Sequence, residues 1–248
     1  MNTRLNTASL DIPYTLRRSR RRRTISVTID PDRGMLVHCP QRLPQAEIDA
    51  FLRRKAKWIR SKMALIDSIR ASQKPISWQD GAALPYQGAS YTLRIRADAS
   101  GGSVSLHGGI IEVACGLAGQ QPADETSESL VMAWYRREAE RVIQQRVAHF
   151  QEHVGVTPSR VCVKDQKRRW GTCTSRGALY FNWRLILAPL HVLDYVVVHE
   201  LCHLLELNHS PRFWSLVSSV LPDYRQRRSW LRQQGASLEI QQRPAMVH

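Results

Sequence analysis

The segment "DYVVVHELCHLLELNHSPRFW", residues 194–214, decides how this chain is read. It sets two histidines and a glutamate in an otherwise apolar run, then adds a third histidine. Burying such groups without a partner is costly, because an ionisable side chain out of water must be compensated or neutralised. A bound metal ion is the compensator this residue set suggests.

His199 and His203 are spaced i, i+4, which puts them about 40° apart on one helical face, a turn apart. Two neutral imidazoles so placed can reach one Zn²⁺ at about 2.0–2.1 Å. Glu200 follows the first of them and leans toward the same ion without having to bind it, the position of a general base. Catalytic zinc sites use three protein ligands. A helix ending near Glu206 to Asn208 would let the chain turn back and bring His209 to the ion, with Ser210 and Pro211 capping and opening a new helix, "PRFWSLVSSVL". The alternative, two core histidines bonded to backbone and a surface His209, leaves the burial cost standing.

Outward from this segment the pattern is α+β. "TISVTID" (24–30) alternates apolar and polar residues as a half-buried strand does, "PDRG" (31–34) is turn chemistry, and "MLVHC" (35–39) is a returning strand. A long amphipathic helix follows over 45–70, with Ile48, Phe51, Leu52, Trp58, Ile59, Met63, Ile66 and Ile69 toward the core. Short strands separated by glycine and serine follow, in "SYTLRIRA", "GSVSLHGG" and "IIEVACG". The polar stretch Gln120–Ser129 is the best boundary, dividing a basic, β-rich region (1–122) from a catalytic region (123–248). A helix from Ser129 places Leu130, Ala133, Trp134, Val142, Ile143, Val147 and Phe150 along one stripe and stops at Gly155. Residues 158–189 read as two or three strands with turns at Gly171 and Gly177, including the pair "RWGTC" and "ALYFNWRLIL". Pro189 then sits in the first turn of the helix that carries the histidines. No internal repeat is visible.

The block "RRWGTCTSRGALYFNWRLILAPLHVLDYVVVHELCHLLELNHSPRFW" resembles the YgjP-like metallopeptidase family, related to the SprT-type and WLM zinc peptidases. The "AKWI" helix, the "WYRREAERVI" helix and the closing "LPDYRQRRSWLRQQG" fit the same layout. The resemblance implies a zincin-like catalytic domain, zinc held by His199, His203 and His209, Glu200 as base, and a peptide or protein substrate. The histidine spacing equals that of metzincins, but Glu206 stands where those enzymes have glycine, and no methionine-turn follows. The likeness is therefore closer to the SprT and WLM group.

Trp170 and Trp183 read as core residues before substrate contacts. Arg184 and Tyr224 are candidates for stabilising an oxyanion, although a structural role comes first for each. Cys173 and Cys202 read as small buried side chains, Cys202 lying about 100° from His203 on the helix.

The formal net charge is +15, with "RRSRRRR" spanning Arg17 to Arg23. Such a surplus suits an anionic partner, nucleotide or DNA, as well as a plainly solvated surface. Five cysteines without C-x-x-C spacing argue against a disulfide or cysteine-zinc framework. Neither a signal peptide nor a membrane span is readable, so a cytoplasmic setting is expected and no membrane partner, while the oligomeric state is not encoded in any motif. Two other functions remain open at this level. One is a metal-dependent nucleotide phosphoanhydride hydrolase, and the other is a DNA-associated zinc protein.

Overall fold

The computed structural model describes residues 3–6, 12–30, 34–72, 76–98, 102–115, 123–166, 169–238 and 240. The chain is α+β, with five α-helices and three small mixed sheets among these residues. It divides into two compact units, Met1–Gln73 and Lys74–His248. The sequence reading divides it at 122, but the strands between 83 and 115 belong to the same unit as the helices that follow. The expected turn at 31–33 and the start of the expected boundary at 120–122 lie outside the described residues.

In the first unit, β1 (Thr3–Asn6), β2 (Pro13–Ser19), β3 (Ser26–Asp30) and β4 (Gly34–Pro40) form a sheet in the order β1-β2-β4-β3. β2 and β4 run parallel, and each carries an antiparallel edge partner. β2 was not read from the sequence, because its basic C-terminal half hides the alternation of buried Tyr14 and Leu16. Arg18 leaves that strand to donate to the carbonyls of Gln41 and Leu43 at 3.3 and 2.5 Å. Helix α1 (Gln45–Ser72) buries Ile48, Leu52, Ile59 and Ile66 in this unit's core. Trp58 departs from the expected stripe and is 48% exposed. It precedes Ile59 by one residue, about 100° around the helix. The side chain of Ile69 lies outside the described residues.

The second unit opens with the same topology. β5 (Ala83–Tyr86), β6 (Ala89–Ala97), β7 (Ser103–His107) and β8 (Ile110–Cys115) pair in the order β5-β6-β8-β7. Again the central pair is parallel and both edges are antiparallel. A long helix again follows, α2 (Ala123–Val154). It starts six residues earlier than the apolar pattern indicates, and Ser127, fully buried, donates its hydroxyl to the carbonyl of Trp78 at 3.0 Å. Trp134, Val142, Ile143, Val147 and Phe150 line its buried face as expected. Gly155 ends it at φ +76°, where a side chain would be strained.

The third sheet, of β9 (Arg160–Lys164), β10 (Gly171–Cys173) and β11 (Ala178–Asn182), has the order β10-β11-β9. Gly177 makes the expected turn at φ +75°. Gly171 does not, being the first residue of β10, paired with Phe181. The strand expected to run through "WRLIL" stops at Asn182, whose side-chain oxygen accepts from the Arg184 N–H and starts a 3-10 turn over Trp183–Leu187. Pro189 is the residue before helix α3 (Leu190–Cys202), one position earlier than expected. α4 (Pro211–Val220) and α5 (Tyr224–Gln234) complete the unit. Among the described residues no helix is long and apolar enough to cross a membrane.

Candidate metal centre

Helix α3 is almost wholly buried, and one ion pair fixes it. Asp194, 7% exposed, takes Arg146 of α2 in a two-point contact, Nε to Oδ1 at 2.6 Å and Nη2 to Oδ2 at 3.0 Å. Planar guanidinium and carboxylate groups so matched restrict rotation as well as distance. The next turn carries Tyr195, and the last carries His199 and Glu200.

The helix ends sooner than the sequence indicates, with His203 as its C-cap. Leu204 and Leu205 donate to the carbonyls of Leu201 and Cys202, bonds of the tightened type that close helix termini. The early end lets the chain return within a few residues. Ser210 then caps α4, accepting from the Phe213 N–H at 3.2 Å, with Pro211 in the first turn as expected.

That return brings three imidazoles together. The Nε2 atoms of His203 and His209 lie 3.2 and 3.0 Å from Nε2 of His199, and ligand atoms of all three fall within 4.8 Å of one another. In a tetrahedral zinc site with Zn–N of about 2.0–2.1 Å, neighbouring nitrogens are about 3.3 Å apart. His203 Nδ1 lies 3.0 Å from the carbonyl of Glu206, which can only accept, so Nδ1 carries the proton and Nε2 keeps its lone pair. Glu206, the residue that departs from the metzincin pattern, thus contributes its backbone. Burial, and then the neighbouring His203 and His209, push His199 down to about 3. It is neutral at any ordinary pH, as a metal ligand must be. His209 is more exposed and is lowered in the same direction, again chiefly by burial. The donor set fits a divalent cation of intermediate softness.

Glu200 is 5% exposed. Burial pushes it up to about 7, against the Cys173 backbone N–H it accepts and the charge of Arg169. A carboxyl in that range is suited to exchange protons near neutrality. The strand approaches it through Gly171. A Cβ there would stand 2.5 Å from both Cγ and Oε1 of Glu200. Glu200, His199, Gly171, Arg169, Trp170, Tyr195, Val196 and Leu231 line a cavity of about 250 Å³.

Of the residues weighed at lower odds, Trp183 is 1% exposed and belongs to the core. Trp170 lines the cavity and is held from behind by Gly235, where a Cβ would be 3.2 Å from its Cζ2. Arg184 is engaged by Asp165 and lies over the Trp183 ring. Tyr224 stacks on Trp214 at 5.4 Å, and Trp214 stacks on His209 at 5.5 Å. Cys202 is fully buried, with its thiol pushed up to about 12 by burial. Cys173 serves Glu200 through its backbone rather than its sulfur.

Gly171, Arg169, Tyr195, Trp214 and Arg228 were not singled out by sequence reasoning. Tyr195 carried a signal, since its i, i+4 spacing to His199 stacks the two rings at 5.7 Å. The others meet the site only through tertiary folding.

The YgjP-like metallopeptidase domain model matches residues 23–234. One solved structure, the metallopeptidase zymogen abylysin of Pyrococcus abyssi, aligns at a TM-score of 0.34 with 20% identity, over 37% of this chain and 95% of that one. No curated protein sequence matches this one. The family description names peptidase chemistry and neither a nucleotide nor DNA.

Proposed function

The chain belongs to the YgjP-like metallopeptidase family, and from that membership we propose a zinc-dependent peptidase with a zincin-like site. His199, His203 and His209 hold the ion and Glu200 is the general base. The observation that carries this reading is the meeting of three imidazole Nε2 atoms beside a buried carboxyl. Zinc bound there supplies a Lewis acid that polarises the scissile carbonyl and acidifies water.

The chain's own groups divide the remaining work. Glu200 takes the proton from the attacking water and returns it to the leaving amine. The Cys173 N–H holds one side of that carboxylate, while the bare Cα of Gly171 leaves room for the other. Glu206 fixes the tautomer of His203 through its carbonyl. The walls of Trp170, Val196 and Leu231 exclude water from the reacting carbonyl.

The test is elemental analysis and turnover together. The wild-type chain should carry about one zinc, consistent with one tetrahedral site, and His203→Ala should lose it. Glu200→Gln should keep the metal and lose peptide hydrolysis by about a thousandfold or more, the scale of a missing general base. Full activity in Glu200→Gln would refute the mechanism. A protein that takes up no zinc with the histidines intact would refute the site.

A further inference from the structure

The cavity beside Glu200 is cationic at its rim. Arg169 lines it from the segment before β10, and its backbone is held there because Asn182 Nδ2 donates to the Arg169 carbonyl at 3.3 Å. Its charge is felt at Glu200. A second guanidinium arrives from α5. Tyr224, Arg228 and Leu231 share one face of that helix by their spacing, and Leu231 lines the cavity itself. The Arg228 guanidinium carbon lies 4.6 Å from the centroid of the Trp214 ring, which in turn stacks on His209 at 5.5 Å. Stacking on an aromatic face positions a guanidinium without using its N–H donors.

Arg228 is exposed, and its charge is felt at His199, His209 and Tyr195. Among the described residues neither Arg169 nor Arg228 makes an ion pair with a carboxylate. The acidic side chain of the cavity wall is Glu200, committed to the reaction in the reading above. Two arginines with free donors thus face the place where a substrate chain must lie.

We propose that Arg169 and Arg228 form a subsite for a carboxylate of the peptide substrate, next to the scissile bond. The planar fork of a guanidinium matches a carboxylate in two hydrogen bonds, and the Trp214 stack orients the Arg228 fork in advance. The carboxylate has two possible sources, the free C-terminus of a short peptide or an aspartate or glutamate side chain. The proposal rests on the peptidase reading for its substrate but not for its binding chemistry.

The experiment measures binding by calorimetry to the full chain, metal-free and zinc-loaded, beside cleavage by the zinc-loaded form. The probes are three N-acetylated peptides of one length. The first has neutral side chains and a free C-terminal acid, the second is its C-terminal amide, and the third is that amide with glutamate replacing a glutamine. Wild type should bind one of the two acidic peptides tighter than the neutral amide by roughly tenfold or more, the scale of a charge-assisted pair. Which acidic peptide gains identifies the source. Arg228→Gln and Arg169→Gln should each collapse the ratio toward one, and Arg228→Lys should restore it in part.

Equal binding of all three peptides, no measurable binding of any, or a ratio unmoved by both glutamine variants would overturn the subsite. Acid-selective binding without cleavage would leave the subsite standing and sink the peptidase reading. Cleavage without acid selectivity would do the reverse.

Discussion

Gly171 and Glu200 are in such close approach that no side chain fits between them, a Cβ at 171 falling 2.5 Å from the Glu200 carboxyl oxygen Oε1. Gly171 lies in a strand and has no positive φ, so alanine is acceptable to the backbone and objectionable only to Glu200. Gly171→Ala should therefore bind zinc normally and lose about a hundredfold in kcat/KM, the effect of misplacing a reacting group by an ångström. A variant of wild-type activity would show that Glu200 need not stay where it is.

The Asp194–Arg146 pair should matter to stability before it matters to chemistry. Asp194→Ala leaves the guanidinium without its partner at a largely buried site and should cost about 3 kcal/mol in urea unfolding. Arg146→Met, which removes the charge and keeps the bulk, should cost less than that.

Ser210 links a helix cap to the third imidazole. Ser210→Ala removes the acceptor of the Phe213 N–H and should destabilise the protein by about 1 kcal/mol. Since His209 is the residue before the cap, zinc affinity should fall as well, measurable by competition with a chromophoric chelator. An unchanged affinity would mean that His209 is positioned without α4.

Acid should weaken a second network, away from the histidines. Glu138 accepts from Arg141 and from the Tyr86 hydroxyl at 2.8 Å, and its carboxyl is held below its usual 4.5, first by the Arg141 bond and against the pull of burial. A carboxyl whose folded pKa is depressed stabilises the fold above its unfolded pKa and loses that contribution as pH falls through the folded one. Wild type should thus lose stability below about pH 4.5, and Glu138→Gln should start about 1 kcal/mol lower and show a shallower acid limb in a Tm-against-pH series.

The sequence was most informative where its signal was local. The spacing of His199, Glu200 and His203, the Ser210-Pro211 cap and the Gly155 stop each depend on neighbours within a turn or two, and each lies where expected. Glycine was ambiguous for the same reason. Gly177 supplies a turn, while Gly171 supplies an absence of side chain against a residue in another element, which no local pattern encodes. "WRLIL" has a strand's composition, but the Asn182 side chain closes the backbone into a tight turn instead. Arg228 is one of many arginines in the sequence, and only the fold sets it beside Trp214 and the histidines.

The paired β-sheet topologies bear on how such a chain can acquire chemistry. The order β1-β2-β4-β3 followed by α1 and the order β5-β6-β8-β7 followed by α2 are one architectural plan used twice, in units that are each compact. Every residue assigned here to the metal, the base or the subsite comes after the second copy, between Arg169 and Arg228. The plan is thus a chassis without chemistry of its own, and novelty enters through what is appended to it. Changes of reactivity in such a lineage would concentrate in that downstream segment, leaving both copies of the chassis free to drift in sequence as long as their cores stay filled.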